Sequence, residues 1–413
     1  MKKRLTILCV FVFGFLGSAQ HHKDWIEDID YYHKTLEAKH IDLYHWISKP
    51  ELTLEIDSLK SNLFKLTDFQ IITELMRITQ RIGGGKGDGH TAVPLWNRAL
   101  KKYPIQLFDF DGDVRVIGIT EAHQKYLGNK LICIDGVAIE DIYKQVSKLT
   151  PFTENKYSLK DRACSYLIIS ELLNAINITN RIEAAEFTFV NDNGEKETIV
   201  LESYTKEALT GLRYETLSLV EPKISQPKDL MFENLWFTAL NDFKTIYINF
   251  KTYPSEEAMK VFSEAVYNFI QEHKSEHLII DLRDNYGGDF YKGLTLSGWL
   301  NACDSINWKS KVYVLINRKT YSAAMVNALQ FKQLLNATLV GEPSGANPNG
   351  YQDLGQFQLP NSKVLITYTK RLFRLQEKDS EGIQPDVLIP STRKAYNNGF
   401  DEVLSWVLHD LHD

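Results

Sequence analysis

Ser322 lies in the segment VYVLINRKTYSAAMVNALQ, where an apolar strand pattern runs through a short polar turn into an Ala-rich helix pattern. A hydroxyl at a strand-to-helix junction faces first-turn amides and the positive end of the helix dipole, which favour developing negative charge. About forty residues upstream, LIIDLRDNYGGD reads as a second apolar strand ending in the turn Gly287-Gly288. A nucleophile beside a glycine turn with free N–H groups forms the two halves of an acyl-transfer site. Taken alone, Ser322 also reads as an ordinary N-cap, and the glycine turn as a tight strand end.

A serine nucleophile needs a base. Among the eleven histidines, His90 alone sits in a Gly-rich polar loop, GGGKGDGHT. An imidazole with a near-neutral pKa suits that role. His40 and His45 fall in or beside amphipathic helix pattern and read as surface or packing residues. The acidic, turn-rich stretch EKDSEGIQPD offers Glu381 or Asp379 to orient an imidazole. In the turn after LIID, Asp281 and Arg283 are placed to brace the loop through a salt bridge and backbone hydrogen bonds. The glycines of 83–90 lack phosphate-loop spacing, and no cysteine or histidine pair has zinc spacing. Neither a cofactor nor a metal is expected.

The elements that position these residues follow from the pattern. Residues 24–80 read as helices, with Trp25, Ile29, Tyr32 and Leu36 on one face, and Ile71, Leu75, Ile78 and Ile82 on another. Asp68 is read as the N-cap of the latter helix. Residues 104–203 are strand-rich, with hairpin turns at Asp111-Gly112 and Asn193-Gly194. Residues 204–240, with Pro222 and Pro227, read as a connector. From Thr245 onward strands and helices alternate, which argues for a largely parallel sheet covered by helices.

The 413 residues, 44% hydrophobic and 24% charged, suit a multidomain globular protein, and the net charge of −6 has no basic stripe to receive nucleic acid. Residues 1–20, MKKRLTILCVFVFGFLGSAQ, read as a signal peptide cleaved after Ala19 or Gln20, which implies an exported, periplasmic or secreted protein. No later segment is apolar enough for a membrane span. Cys133, Cys164 and Cys303 are too few and odd in number for a disulfide framework.

Taken together, the DGHT loop, GNKLICIDG, LIIDLRDNYGG, NRKTYSAAM, LVGEPSGANPN and GIQPDV, in this order, resemble the family of tail-specific (C-terminal-processing) and tricorn-core serine peptidases. The resemblance implies an α/β fold: a crotonase-like protease core over 204–413, an N-terminal helical region over 21–95, and a PDZ-like strand-rich insertion over 96–203. It implies a serine-type peptidase acting on proteins or peptides, with Ser322 as nucleophile. The oxyanion hole falls to Ala323 and one of Gly287 and Gly288. Tail-specific members use a lysine where this chain has Ala346 and Asn347. Tricorn-like members use a histidine and an acidic residue, which fall here on His90 and Glu381. A catalytically inactive peptide- or lipid-binding relative is the alternative implied by the missing lysine.

Overall fold

The computed structural model describes residues 4–241 and 243–411. Met1–Lys3, the basic start of the expected signal peptide, lie outside the described residues.

The sheet that presents the candidate serine has six strands, and its order follows from the alternating pattern after Thr245. Thr245–Phe250, His277–Asp281, Val312–Ile316, Thr338–Gly341 and Val387–Leu388 run parallel. Both faces are covered, which is why these strands are apolar at nearly every position. Ile246, Ile248, Leu278, Ile280, Val312 and Val314 face the helices Glu256–His273, Phe290–Asn301 and Ala323–Leu334. The alternate residues Tyr247, Ile279, Tyr313 and Val340 pack instead against Leu404, Val407 and Leu408 of the last helix, Glu402–Asp410.

One edge strand was hidden in the stretch read as a connector. Leu235–Leu240 pairs antiparallel with Thr245–Phe250. A short lone strand beside two prolines carries little period of its own; its partner fixes it.

Residues 105–216 form a seven-stranded sheet whose ladders are antiparallel. Asp111 and Gly112 both take positive φ, 58° and 90°, as a two-residue hairpin turn requires. Helices Ile139–Ser147, Lys156–Tyr166 and Ser170–Ala175 are inserted between its strands in sequence. The last of these strands, Tyr214–Thr216, pairs with Asp113–Thr120.

The N-terminal helices Arg4–Lys39, Lys49–Asn62 and Asp68–Gly83 share a core with the hairpin of Asn349–Gln358 and Leu365–Arg374. Asp68 is not the N-cap of its helix. Thr67 is, in a reciprocal capping box with Gln70. Asp68 is the first helical residue and accepts a hydrogen bond from Trp25 Nε1 at 3.0 Å. Among the described residues, no helix is long and apolar enough to cross a membrane.

Candidate active site

The turn that follows strand Val312–Ile316 is tied to the turn after His277–Asp281. Asn317 Oδ1 accepts from the amides of Lys319 (2.9 Å) and Asp284 (3.2 Å). Thr320 Oγ1 donates to the Leu282 carbonyl at 3.0 Å, and the Tyr321 amide donates to the Asn285 carbonyl at 3.0 Å. The expected brace is present. Arg283 pairs with Asp281 at 2.7 Å and also with Asp401 at 2.9 Å. Burial opposes ionisation of Asp281, yet the Arg283 guanidinium holds its pKa below the usual carboxylate range.

Ser322 ends this turn with φ 47° and ψ −121°, a conformation that a residue bearing a Cβ seldom adopts. It precedes helix Ala323–Leu334, but its side chain makes no capping hydrogen bond. That removes the ordinary N-cap explanation and leaves the hydroxyl uncommitted. Gly287 lies directly against it. A Cβ at Gly287 would stand 2.8 Å from Ser322 Cβ, 3.0 Å from the Tyr321 carbonyl oxygen and 3.1 Å from the Ala323 nitrogen.

The oxyanion assignments divide. The Gly287 N–H donates to Asn285 Oδ1 at 2.9 Å and is therefore spent. The Gly288 N–H has no such partner among the described residues. Ala323, at the first helical position, presents the unpaired N–H that every helix start leaves. Gly288 and Ala323 are the available donors, and Gly287 supplies the close approach.

His90 is buried in the loop after helix Asp68–Gly83. Asp88 builds that loop. Its Oδ1 accepts from the amides of His90 (3.3 Å) and Thr91 (3.0 Å) and from Thr369 Oγ1 (2.7 Å). Its Oδ2 faces His40 Nε2 at 3.0 Å. The His90 Nδ1 atom is buried without a hydrogen-bond partner. Burial lowers the pKa of His90 below 6.5; Asp88 opposes this, and the Arg162 charge adds to it. A neutral imidazole results.

His40, His45 and Asp88 place ligand-type atoms within 4.8 Å of one another. They do not make an open metal site. His40 Nδ1 accepts the Asp42 amide at 2.9 Å, so Nε2 holds the proton and donates it towards Asp88. A metal at Nε2 would need that lone pair free.

Two residues missed in the sequence occupy this region. Glu154 lies against Gly89, and its Oε2 accepts from the Asn347 amide and Gln352 Nε2, each at 2.8 Å. Burial pushes its pKa up to about 8. Arg162 stacks on Tyr321, its guanidinium 4.2 Å from the ring centroid, and its charge acts on His90. One guanidinium thus packs on the residue before Ser322 and disfavours the charged form of the imidazole. No local pattern announces either residue, since both come from the strand-rich unit and meet the loop only in space.

Neither Ser322 nor a carboxylate is hydrogen-bonded to the His90 ring among the described residues. Glu381 is half exposed and pairs with Lys156 at 2.9 Å. Asp379 accepts from Asn349 Nδ2 at 2.8 Å. Both line a groove of about 680 Å³ that Gly87 and Glu154 also line. Asn347, which with Ala346 stands where the resemblance would seek a lysine, is tied to Asn155 at 2.7 Å and to the Gly382 amide at 2.8 Å.

Residues 244–389 match the description Peptidase family S41. Over these residues the chain is similar to that family. The S41 segment holds Ser322, both glycines, Asn347 and Glu381, whereas His90, Glu154 and Arg162 lie before it. Solved structures extend the likeness in fold. A mutant of CPAF is 12% identical, with 94% of this chain and 98% of that chain covered and a TM-score of 0.64. Mature CPAF complexed with lactacystin is also 12% identical, with 94% and 97% covered and a TM-score of 0.61. The shared architecture therefore includes the regions on the N-terminal side of the S41 segment. No curated protein matches the chain in sequence.

Proposed function

We propose that this protein is an exported serine-type peptidase of the histidine-using kind, cutting peptide bonds through an acyl-enzyme on Ser322. The observation that carries the reading is the pairing of an uncapped serine at φ 47° with Gly287 packed on its Cβ. Neutral His90 takes the Ser322 proton as Oγ attacks the carbonyl carbon. The tetrahedral oxyanion accepts hydrogen bonds from Gly288 and Ala323 N–H. Collapse returns the proton from His90 to the departing amine. Water, deprotonated by the same imidazole, then releases the acyl group. In this reading His90 meets the serine only when peptide binds, since such contacts are often long in an empty enzyme.

Glu381 is the carboxylate that orients His90 in this reading, with Asp379 beside it in the same groove. The strand-rich unit serves as a PDZ-like peptide-holding domain. Residues 1–20 direct export. The test is cleavage of a degenerate fluorogenic peptide library. The native chain cuts a subset of the library, and Ser322→Ala loses at least about a thousandfold in rate, as loss of a nucleophile does. Equal turnover by the native chain and Ser322→Ala would reject the assignment.

A further inference from the structure

Among the described residues, one cation packed on Tyr321, the residue before Ser322, makes no ion pair. Arg162 lies on helix Lys156–Tyr166, and its buried Nε makes no hydrogen bond. The adjacent carboxylate, Asp161, is turned away from it, to the Tyr321 hydroxyl at 2.8 Å and to Lys319 at 3.9 Å. Two arginines nearby are matched: Arg283 with Asp281 and Asp401, and Arg318 with Glu342 at 2.9 Å. Among the described residues, Arg162 has no such ion pair.

Two aromatic rings neighbour it instead. The guanidinium lies 4.2 Å from the Tyr321 centroid and 5.4 Å from the Phe152 centroid. Each of these rings meets a further one. Phe152 packs on Trp96, with centroids 4.9 Å apart and planes at 4°. Tyr321 packs on Tyr286 at 5.4 Å and 29°. Both ends are open, with Trp96 60% and Tyr286 56% exposed. Stacking holds a guanidinium plane still while leaving its N–H edge unspent. A fixed planar fork without a partner matches one ligand chemistry above others, a carboxylate taken in two parallel hydrogen bonds.

We infer that Arg162 is a substrate-recognition residue that binds a carboxylate of the peptide within a few residues of the bond cut at Ser322. The carboxylate comes from an Asp or Glu side chain or from the free C-terminus of the substrate. The inference rests on the peptidase reading for its position along the substrate, but the carboxylate site stands on Arg162 and its stack.

The experiment uses the full chain bearing Ser322→Ala, which binds without turnover. Four pools of fluorescent octapeptides, degenerate at the other positions, carry internal Glu or Gln and end in an acid or an amide. Anisotropy should show the carboxylate-bearing pools binding about ten- to a hundredfold tighter than the Gln-amide pool. The Glu-amide and Gln-acid arms tell the side-chain source from the terminal one. Adding Arg162→Gln should abolish the difference between pools, and Arg162→Lys should recover only part of it. Should the Gln variant not fold, the Lys variant decides, with a several-fold smaller ratio expected. Pools that bind alike or not at all, or a preference that survives both substitutions, would overturn the inference. Cleavage of the same pools by the native chain separates the two readings. Selective binding without cleavage defeats the peptidase and keeps the anion site; cleavage without preference defeats the anion site alone.

Discussion

His90 shows how burial selects a protonation state before any substrate arrives. Its ring is enclosed, its Nδ1 has no partner, and burial together with Arg162 holds its pKa below 6.5. A base must be neutral to accept a proton. Activity should therefore persist to a lower pH than an unperturbed imidazole would allow, and the acid limb of kcat/KM should fall below pH 6.5. Removing the nearby positive charge by Arg162→Gln should move that limb to higher pH. A pH profile on one cleaved peptide checks both, and a limb that stays in place would deny that Arg162 acts on the imidazole. At this scale the sequence was readable where chemistry and local pattern coincide. Ser322 stood at a strand-to-helix turn and His90 in a glycine loop. Glu154 and Arg162 were not, because an ordinary loop position and an ordinary mid-helix position acquire meaning only through neighbours distant in sequence. His40, read as a surface or packing residue, is buried and supports Asp88, whose carboxylate holds the loop.

At the scale of elements, the two turns that hold the serine and the glycines act as one piece, cross-tied through Asn317, Thr320 and Asn285. Gly287 is the tightest point. Its φ of 93° and the nearness of Ser322 Cβ and the Tyr321 carbonyl leave no room for a side chain. Gly287→Ala should cost about 1–3 kcal/mol of backbone strain and displace the nucleophile, lowering kcat by about a hundredfold or more. Gly298 is its control. It is exposed within helix Phe290–Asn301 and has nothing near its Cβ position, so Gly298→Ala should stabilise by about 0.5–1 kcal/mol with activity kept. Thermal melts and kcat measured on both variants test the contrast. Equal loss of kcat in the two would mean that the turn does not position the serine. The parallel strands were legible because burial on both faces makes them apolar throughout. Strand Leu235–Leu240 was not, because pairing with Thr245–Phe250, rather than its own residues, defines it.

Across the whole molecule, the proposed site draws on pieces far apart in the chain. The N-terminal region gives the loop with His90, the strand-rich unit gives Glu154 and Arg162, and the S41 segment gives Ser322 and the glycines. Asn347 joins two of these through Glu154 and Asn155. Such joints leave no trace in a linear pattern, which is why the order of motifs was readable and their closure was not. The most direct measurement is mass-spectrometric mapping of the adduct formed by a fluorophosphonate with the folded native chain. The account predicts a single phosphonylated residue, Ser322, with labelling lost in Ser322→Ala and strongly slowed in His90→Ala. An adduct on another residue, or labelling unchanged in Ser322→Ala, would contradict it.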